Sequence, residues 1–182
     1  MIIEQDIIQG CIAEKREFQK KLYETLSDKM LFVCYRYCKN KEEAEDVLQD
    51  GFIKVFKYVH TFRFEGSFED WVRRIMINTA IAHLRKKKHI YSFSSLKNII
   101  ESPQSDYNII GRLDEKKLLK TINLLPNGYR TVLNMYVIEG YSHKEIGKAL
   151  GITEGTSKSQ LYKSKFFLKT LLNKYLDIEL KK

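Results

Sequence analysis

Apolar residues recur at helical spacing along most of the chain, and we find no convincing run of the strict alternation that is typical of strands. The pattern predicts four helices in the first half of the chain and four in the second. They are Glu14–Leu26, Ser27–Cys38, Lys41–Val59 and Ser67–Lys88, then Leu113–Asn123, Asn127–Glu139, Ser142–Leu150 and Glu154–Tyr175. The predicted fold is therefore all-α.

One segment in the middle of the chain breaks the helical pattern. From His89 to Gly111 the sequence is rich in Ser and Asn, contains Pro103 and keeps no steady period. A connection longer than about 12–15 residues is uncommon inside one compact domain. We therefore predict two small helical domains, residues 1–90 and 112–182, joined by a flexible linker, residues 91–111.

The charge balance points to a polyanionic partner. The chain has 32 Lys and Arg against 23 Asp and Glu, a formal net charge of +9. A surplus of this size favours nucleic acid or an anionic membrane face. No run approaches the roughly 18 apolar residues of a membrane-spanning helix, and Glu4 and Asp6 stand where a secretory signal carries basic residues. We expect a soluble, cytoplasmic protein without membrane insertion.

The residue types that commonly act in catalysis or metal binding do not have the spacing that either role requires. Three cysteines, Cys11, Cys34 and Cys38, form no CxxC pair and are best interpreted as small core residues in a reducing compartment. The four histidines have no metal-binding spacing, and the sequence has no glycine-rich phosphate loop. We therefore predict no enzymatic activity, no catalytic residue, no metal and no cofactor.

The predicted helix Lys41–Val59 has two contrasting sides. Asn40 and Glu43 suit a capped helix start. An apolar stripe that faces the core contains Ala44, Val47, Leu48, Gly51, Phe52, Val55, Phe56 and Val59. The opposite side carries Asp46, Gln49, Asp50 and Ile53. In a basic protein an acidic face with an apolar centre suits a protein partner better than DNA, although a plain solvated surface fits the pattern equally well.

The segment Thr61–Trp71, TFRFEGSFEDW, places four aromatic residues around a Gly-Ser pair. Aromatic loops beside basic helices can hold unstacked bases, and each stack contributes roughly 1–3 kcal/mol. The alternative is a turn whose aromatic rings fold back into the core. We favour that alternative for Phe68 and Trp71.

The helix that follows is strongly basic, with no acidic residue between Trp71 and Tyr91. A helical projection turns Val72, Ile75, Met76, Thr79 and Ala82 inward, and Arg74, Asn78, Ile81, Arg85 and Lys88 outward. Arg73 and Lys86 add further positive charge. Because Asn reads base edges and Arg binds phosphates, the outward stripe favours DNA contact over simple solvation.

The sequence from Tyr141, YSHKEIGKALGITEGTSKSQLYKSKFFL, fits a helix-turn-helix. Ser142 and Glu145 form a capping box, Gly151 allows the turn, and Thr153 can cap a second helix from Glu154. That second helix presents Thr156, Ser159, Gln160 and Lys163 outward, and turns Leu161 and Leu168 inward. The alternative is an ordinary helical hairpin.

Two long stretches together resemble the extracytoplasmic-function sigma factors of the sigma-70 family, which are specificity subunits of bacterial RNA polymerase. The stretch AEDVLQDGFIKVFKYVHTFRFEGSFEDWVRRIMINTAIAHLRK is similar to their second domain, and LPNGYRTVLNMYVIEGYSHKEIGKALGITEGTSKSQLYKSK to their fourth. The resemblance covers nearly the whole chain. It implies a protein that binds core polymerase and directs promoter recognition, DNA melting and transcription initiation.

The resemblance also implies roles for the features above. The docking surface for the clamp helices of the largest polymerase subunit is Asp46, Gln49, Asp50 and Ile53. The residues that recognise and melt the minus-ten element are Phe64, Glu65, Gly66, Ser67, Phe68, Trp71, Arg73, Arg74, Asn78, Arg85 and Lys86. The residues that read the minus-thirty-five element are Thr156, Ser159, Gln160 and Lys163. Further implied partners are the second-largest polymerase subunit, promoter DNA, and an anti-sigma factor or a recruiting DNA-binding protein.

Three positions depart from the family pattern. Ala82 stands where an acid is usual, Ser157 where an apolar residue is usual, and Gln160 where an arginine is common. The last two leave the reading helix less basic and less tightly seated, so a recruiting protein is one way to supplement it. A helix-turn-helix regulator would explain the C-terminal motif equally well, but not the acidic face and the aromatic loop. A nuclease or recombinase would need clustered acids and a nucleophile that the sequence lacks.

Overall fold

The computed structural model describes residues 5–91 and 121–179, with side chains described for 5–86 and 121–172. Contacts between Cα atoms divide the chain into two compact units, Met1–Leu96 and Lys97–Lys182. The described residues contain helices and turns but no strand. The all-α, two-domain prediction is confirmed. Tyr91 ends a helix, and the rest of the predicted linker lies outside the described residues.

Between residues 5 and 91 the first unit contains four helices. They are α1 (Gln5–Ile12), α2 (Arg16–Tyr35), α3 (Lys41–Tyr58) and α4 (Phe68–Tyr91), with a 3-10 turn (Val59–Thr61) after α3. α2, α3 and α4 pack on one another, and α1 packs on α2. Their shared core includes Leu22, Leu26, Met30, Val47, Val55 and Met76, all fully buried.

The start of this unit differs from the sequence prediction in two ways. α2 is a single helix, so the predicted break between Leu26 and Ser27 is wrong. Leu22, Leu26 and Met30 form an apolar row that crosses Ser27 without interruption, and all three are buried. α1 was not predicted, because eight residues give little periodicity to detect. The ring of Phe18 covers Gly10 so closely that any Cβ there would collide with it.

The second unit contains the helix-turn-helix. From residue 127 onward its described helices are α5 (Asn127–Leu133), α6 (His143–Leu150) and α7 (Glu154–Glu179). The predicted helix Asn127–Glu139 is only partly correct, since the α-helix gives way to a π-helical stretch, Asn134–Ile138. Residues 121–123 are helical, and the rest of the predicted helix Leu113–Asn123 lies outside the described residues. α5 and α6 both pack on α7.

The three cysteines are buried and form no disulfide, which confirms their interpretation as core residues. Burial raises the pKa of the Cys11 thiol to about 11 and that of Cys34 to about 12. Both thiols therefore stay protonated at neutral pH. Among the residues with described coordinates, no group of His, Cys, Asp or Glu is placed to hold a metal ion. Within the same residues no helix is long and apolar enough to cross a bilayer.

Candidate nucleic-acid interface

α3 is held at its start by local hydrogen bonds and presents an acidic outer face. The backbone N–H of Glu43 donates to Asn40 Oδ1 at 3.0 Å, as the capping pattern predicts. Asp46, Gln49 and Asp50 are exposed, and Ile53 among them is 64% exposed. Neither Asp46 nor Asp50 forms an ion pair or hydrogen bond with any described residue. The two carboxylates are therefore available to an external cation.

The loop between α3 and α4 rests on a cluster of aromatic rings. Phe62 and Phe68 are buried with ring centroids 5.0 Å apart, and Phe68 stacks on Trp71 at 5.4 Å. The preference for a core role is thus correct for Phe68, while Trp71 is half-buried. Phe64 differs from them, since it is 45% exposed and its backbone φ is +57°. The cluster supports the loop, and Phe64 is the ring that it offers to the outside.

A cavity of about 370 Å³ opens beside this loop. Its lining combines an aromatic wall with groups of both charges: Thr61, Phe62, Arg63, Glu65, Gly66, Ser67, Asp70, Trp71 and Arg74. The side chains of Arg63, Glu65 and Arg74 have no ion-pair partner within the described part of the chain. Such a lining can stack a flat ring and bind its polar edge.

The exposed stripe of α4 differs at two positions from the projection made on the sequence. Arg74, Asn78, Arg85 and Lys86 are exposed as predicted. Ile81, predicted to point outward, is only 5% exposed, whereas Ala82, predicted to point inward, is exposed. The reason is that α4 packs on both α2 and α3, which buries a wider arc than a single stripe. The side chain of Lys88 lies outside the described residues.

The position of Ala82 bears on the chemistry of that stripe. Ala82 lies on the same face as Asn78, one turn further along α4. An acid at this point would repel DNA phosphates and would hydrogen-bond to exposed base amines, and alanine does neither. Lys54 Nζ donates to Thr79 Oγ1 at 3.0 Å and so ties the back of α4 to α3. The exposed stripe of α4 is therefore basic, and Asn78 contributes an amide group to it.

The helix-turn-helix has the predicted local geometry. Ser142 and Glu145 form a complete capping box, in which Ser142 N donates to Glu145 Oε2 at 2.8 Å. Gly151 ends α6 in the left-handed conformation, with φ +66°. Thr153 Oγ1 accepts from Thr156 N at 3.0 Å and caps α7. These caps and the glycine turn favour a helix-turn-helix over an ordinary helical hairpin.

The predicted reading residues lie in the first turns of α7. Thr156, Ser159 and Lys163 are exposed, Gln160 is half-buried, Leu161 is buried and Leu168 is half-buried. A Cβ on Gly128 would lie 3.4 Å from Gln160 Oε1, so the amide of Gln160 sits against the start of α5.

A hydrogen bond from Lys158 at 2.7 Å holds the pKa of the Glu154 carboxyl below its usual value.

Exposed aromatic residues of this helix were not predicted from the sequence as part of the site. Tyr162 is 76% exposed and Phe166 is 65% exposed. They continue the outward row of Ser159 at helical spacing, opposite the buried row Ser157, Leu161 and Ser164. A helical projection that included every residue from Ser159 to Phe166 would have found them.

Both units of the chain match families of known proteins. Residues 22–90 match sigma-70 region 2, and residues 115–165 match sigma-70 region 4. The ECF RNA polymerase sigma factor SigW of Bacillus subtilis is 30% identical over 160 residues, which cover 80% of this chain and 83% of SigW.

The chain belongs to the extracytoplasmic-function sigma factors of the sigma-70 family. The ECF sigma factor SigE of Mycolicibacterium smegmatis is also similar, at 29% identity over 82% of this chain, although the chain spans only 59% of SigE. The fold resembles that of the sigma factor RpoE of Bartonella quintana, solved in complex with the anti-sigma factor NepR. That likeness has a TM-score of 0.56 at 21% identity and covers 85% of this chain and 96% of RpoE.

Family membership establishes the general function. This sigma factor is a transcription initiation factor that binds core RNA polymerase and promoter DNA and directs promoter-specific initiation. It acts inside the cell, on DNA.

Proposed function

We propose that this sigma factor docks on the clamp helices of the largest polymerase subunit through the outer face of α3. The observation that carries the proposal is the pair of unpartnered carboxylates, Asp46 and Asp50, beside the exposed Ile53. Charged groups around an apolar anchor are the composition that suits a protein interface with a polar rim. Gln49 completes this face as a neutral hydrogen-bonding group.

The same domain recognises and melts the minus-ten element. Unpairing costs a few kcal/mol for each extruded base, and a stack on an aromatic ring returns roughly 1–3 kcal/mol. Phe64 supplies that ring, and the cavity that Glu65, Gly66 and Ser67 help to line receives the base. Phe68 and Trp71 support the loop from below. Arg73, Arg74, Asn78, Arg85 and Lys86 hold the backbone and read the exposed bases.

The second domain reads the minus-thirty-five element through α7. Thr156, Ser159 and Lys163 face the major groove, with Gln160 at the edge of the contact. Docked on polymerase, the two domains act as linked readers, so that the binding of one raises the effective concentration of the other. The phosphodiester chemistry stays with the polymerase, because the sigma factor contributes no catalytic group, metal or cofactor.

Two further partners complete the proposal. Segments outside the first domain contact the second-largest polymerase subunit, and residues 91–111 connect the two domains. The factor acts at the bacterial nucleoid. RpoE was solved with an anti-sigma factor, and we extend that mode of control to this chain. A separate recruiting DNA-binding protein is the alternative, which the less basic reading helix would favour.

The docking proposal is tested by co-purification with core polymerase, followed by transcription from a genomic fragment library. Charge reversal by Asp46→Lys and Asp50→Lys should weaken polymerase binding at least tenfold, since close opposite-charge pairs contribute a few kcal/mol at interfaces. Asp28→Lys is the matched control, because Asp28 is an exposed acid on another helix of the same unit. The far-UV circular dichroism of all three variants should be unchanged.

Each outcome has a clear meaning. Stable binding with new start sites supports the proposal, and the aligned upstream sequences then give both promoter elements. If both charge reversals bind polymerase as well as the Asp28→Lys control, the docking surface lies elsewhere. Tight, specific binding to duplex DNA without polymerase would favour an ordinary helix-turn-helix regulator.

A further inference from the structure

The two helices of the helix-turn-helix meet through a polar contact. Ser157 lies in the first turn of α7 and is 0% exposed. Its Oγ lies 2.9 Å from Nδ1 of His143, the first residue of α6, and either group can donate according to the imidazole tautomer. The contact between the starts of the two helices is therefore a directional hydrogen bond.

His143 is itself held from the other side. Its ring is stacked on Tyr136, with centroids 4.4 Å apart and an interplanar angle of 19°. Tyr136 belongs to the π-helical stretch. The backbone beside the imidazole is fixed too, since Ser142 and Glu145 close the capping box at the adjacent position. Three segments of the domain thus converge on one ring.

The direction of this contact matters for base reading. Successive helical residues are about 100° apart around the axis. Fixing Ser157 toward α6 therefore fixes the directions of Thr156, Ser159 and Gln160 in the same turns. Hydrogen bonds to base edges need donor–acceptor distances of roughly 2.7–3.2 Å. A rotation or slide of the first turn by a fraction of an ångström would change which bases satisfy them.

We propose that His143 is a positioning residue, whose ring, seated on Tyr136 and bonded to Ser157, sets the rotation of the reading helix and thereby its base preference. The inference rests on the proposed reading of the minus-thirty-five element by α7. It assigns to a side chain outside the reading helix a part in choosing the sequence.

Matched substitutions separate the two contacts of the ring. His143→Phe keeps a ring on Tyr136 and removes the bond to Ser157. His143→Asn loses the stacking but places an amide where Nδ1 was. Ser157→Ala removes the hydroxyl, and Ser157→Val fills the site with an apolar group, so that at least one variant at this position keeps a packed fold.

The experiment measures transcription by the full-length sigma factor with core polymerase. The promoter library has a constant minus-ten element and a randomised minus-thirty-five element. His143→Phe, Ser157→Ala and Ser157→Val should each lower the ratio between the best element and its single-base variants by about fivefold, a factor typical of one hydrogen bond. His143→Asn should retain most of the ratio. The double variant His143→Phe/Ser157→Ala should be no worse than either single variant.

The alternatives are distinguishable. Equal loss on every library member would mean that the pair only stabilises the domain, and the proposal would be wrong. It would also be wrong if the wild-type protein showed a clear base preference that none of the variants changed. A wild-type protein without any preference at this element would overturn the proposed reading role of α7, and this inference with it. A promoter lacking the minus-thirty-five element controls for polymerase binding, and its transcription should be the same for all variants.

Discussion

At the scale of single residues, Phe64 combines an unfavourable backbone with an exposed ring. A bulky residue at φ +57° is an outlier that costs of order 1–3 kcal/mol. Its ring makes a tilted contact with Phe62, at 5.1 Å between centroids. Gly66 in the same loop also has positive φ, 88°, but at no such cost, because glycine adopts it freely. The contact with Phe62 does not offset this strain. We therefore infer that the ring of Phe64 serves to bind a partner molecule.

We therefore expect Phe64→Gly to separate stability from function. The glycine relieves the strained backbone and removes the ring, so the free energy of unfolding should change by less than about 1 kcal/mol. Promoter opening should fall by about fivefold or more, because one base stack is lost. Thermal unfolding and 2-aminopurine fluorescence at the extruded base measure the two effects. Phe64→Tyr, which keeps the ring, should open promoters normally, and equal opening by Phe64→Gly would refute the stacking role.

Which residues could be identified from the sequence depended on how local their interactions are. The caps at Asn40 and Ser142 involve neighbours three residues away, so the sequence alone located them. The bond between His143 and Ser157 joins residues on two helices, and no local pattern announces it. Phe62, Phe64 and Phe68 have the same side chain, and only their packing distinguishes the exposed ring from the buried ones.

At the scale of helices, the close contact between α3 and α4 depends on a glycine. Gly51 faces Met76 so closely that a Cβ there would collide with the Met76 sulfur, and Met76 is fully buried. This contact helps to fix the proposed docking face of α3 relative to the basic stripe of α4. The geometry of both surfaces therefore depends on the volume of two core side chains.

Gly51→Val should destabilise the first domain by about 1–3 kcal/mol, because the core is overfilled. Met76→Ala alone should cost about 2–5 kcal/mol through the cavity that it leaves. The double variant should be more stable than the sum of the two effects predicts, since the valine fills part of that cavity. Urea unfolding of the four proteins gives the coupling energy. Additive effects would mean that the two side chains do not compete for one space.

Helix boundaries were predicted well where a cap or a glycine marks them and poorly where tertiary packing decides. α6 begins and ends where Ser142 and Gly151 predict. The interior of α2 was divided wrongly, because Ser27 resembles a cap but lies within a continuous buried row. Ile81 and Ala82 exchanged sides since α4 contacts two neighbouring helices and its buried arc is wide. The change to π-helix at Asn134 has no signal that we recognise in the sequence.

At the scale of the whole molecule, the formal charge of +9 is a poor guide to promoter affinity. Non-specific binding grows with the number of phosphates contacted, but specificity in the proposed mechanism comes from two small readers that polymerase holds apart. Each domain makes few base contacts. The link between the two domains strengthens binding further, because it raises the effective concentration of the second domain once the first has bound. This arrangement predicts a strict dependence on the distance between the two promoter elements.

That dependence can be tested by combining promoter spacing with a substitution in the reading helix. Inserting about 5 base pairs, half a helical turn, should rotate the minus-thirty-five element away and reduce transcription to the level of a promoter without that element. Lys163→Ala should lower transcription from the original promoter and have no effect on the inserted one. An insertion of about 10 base pairs restores the face but not the distance, so transcription should stay low if polymerase fixes the separation. Equal losses from Lys163→Ala on all three promoters would show that Lys163 does not act through this element and would contradict the linked-reader mechanism.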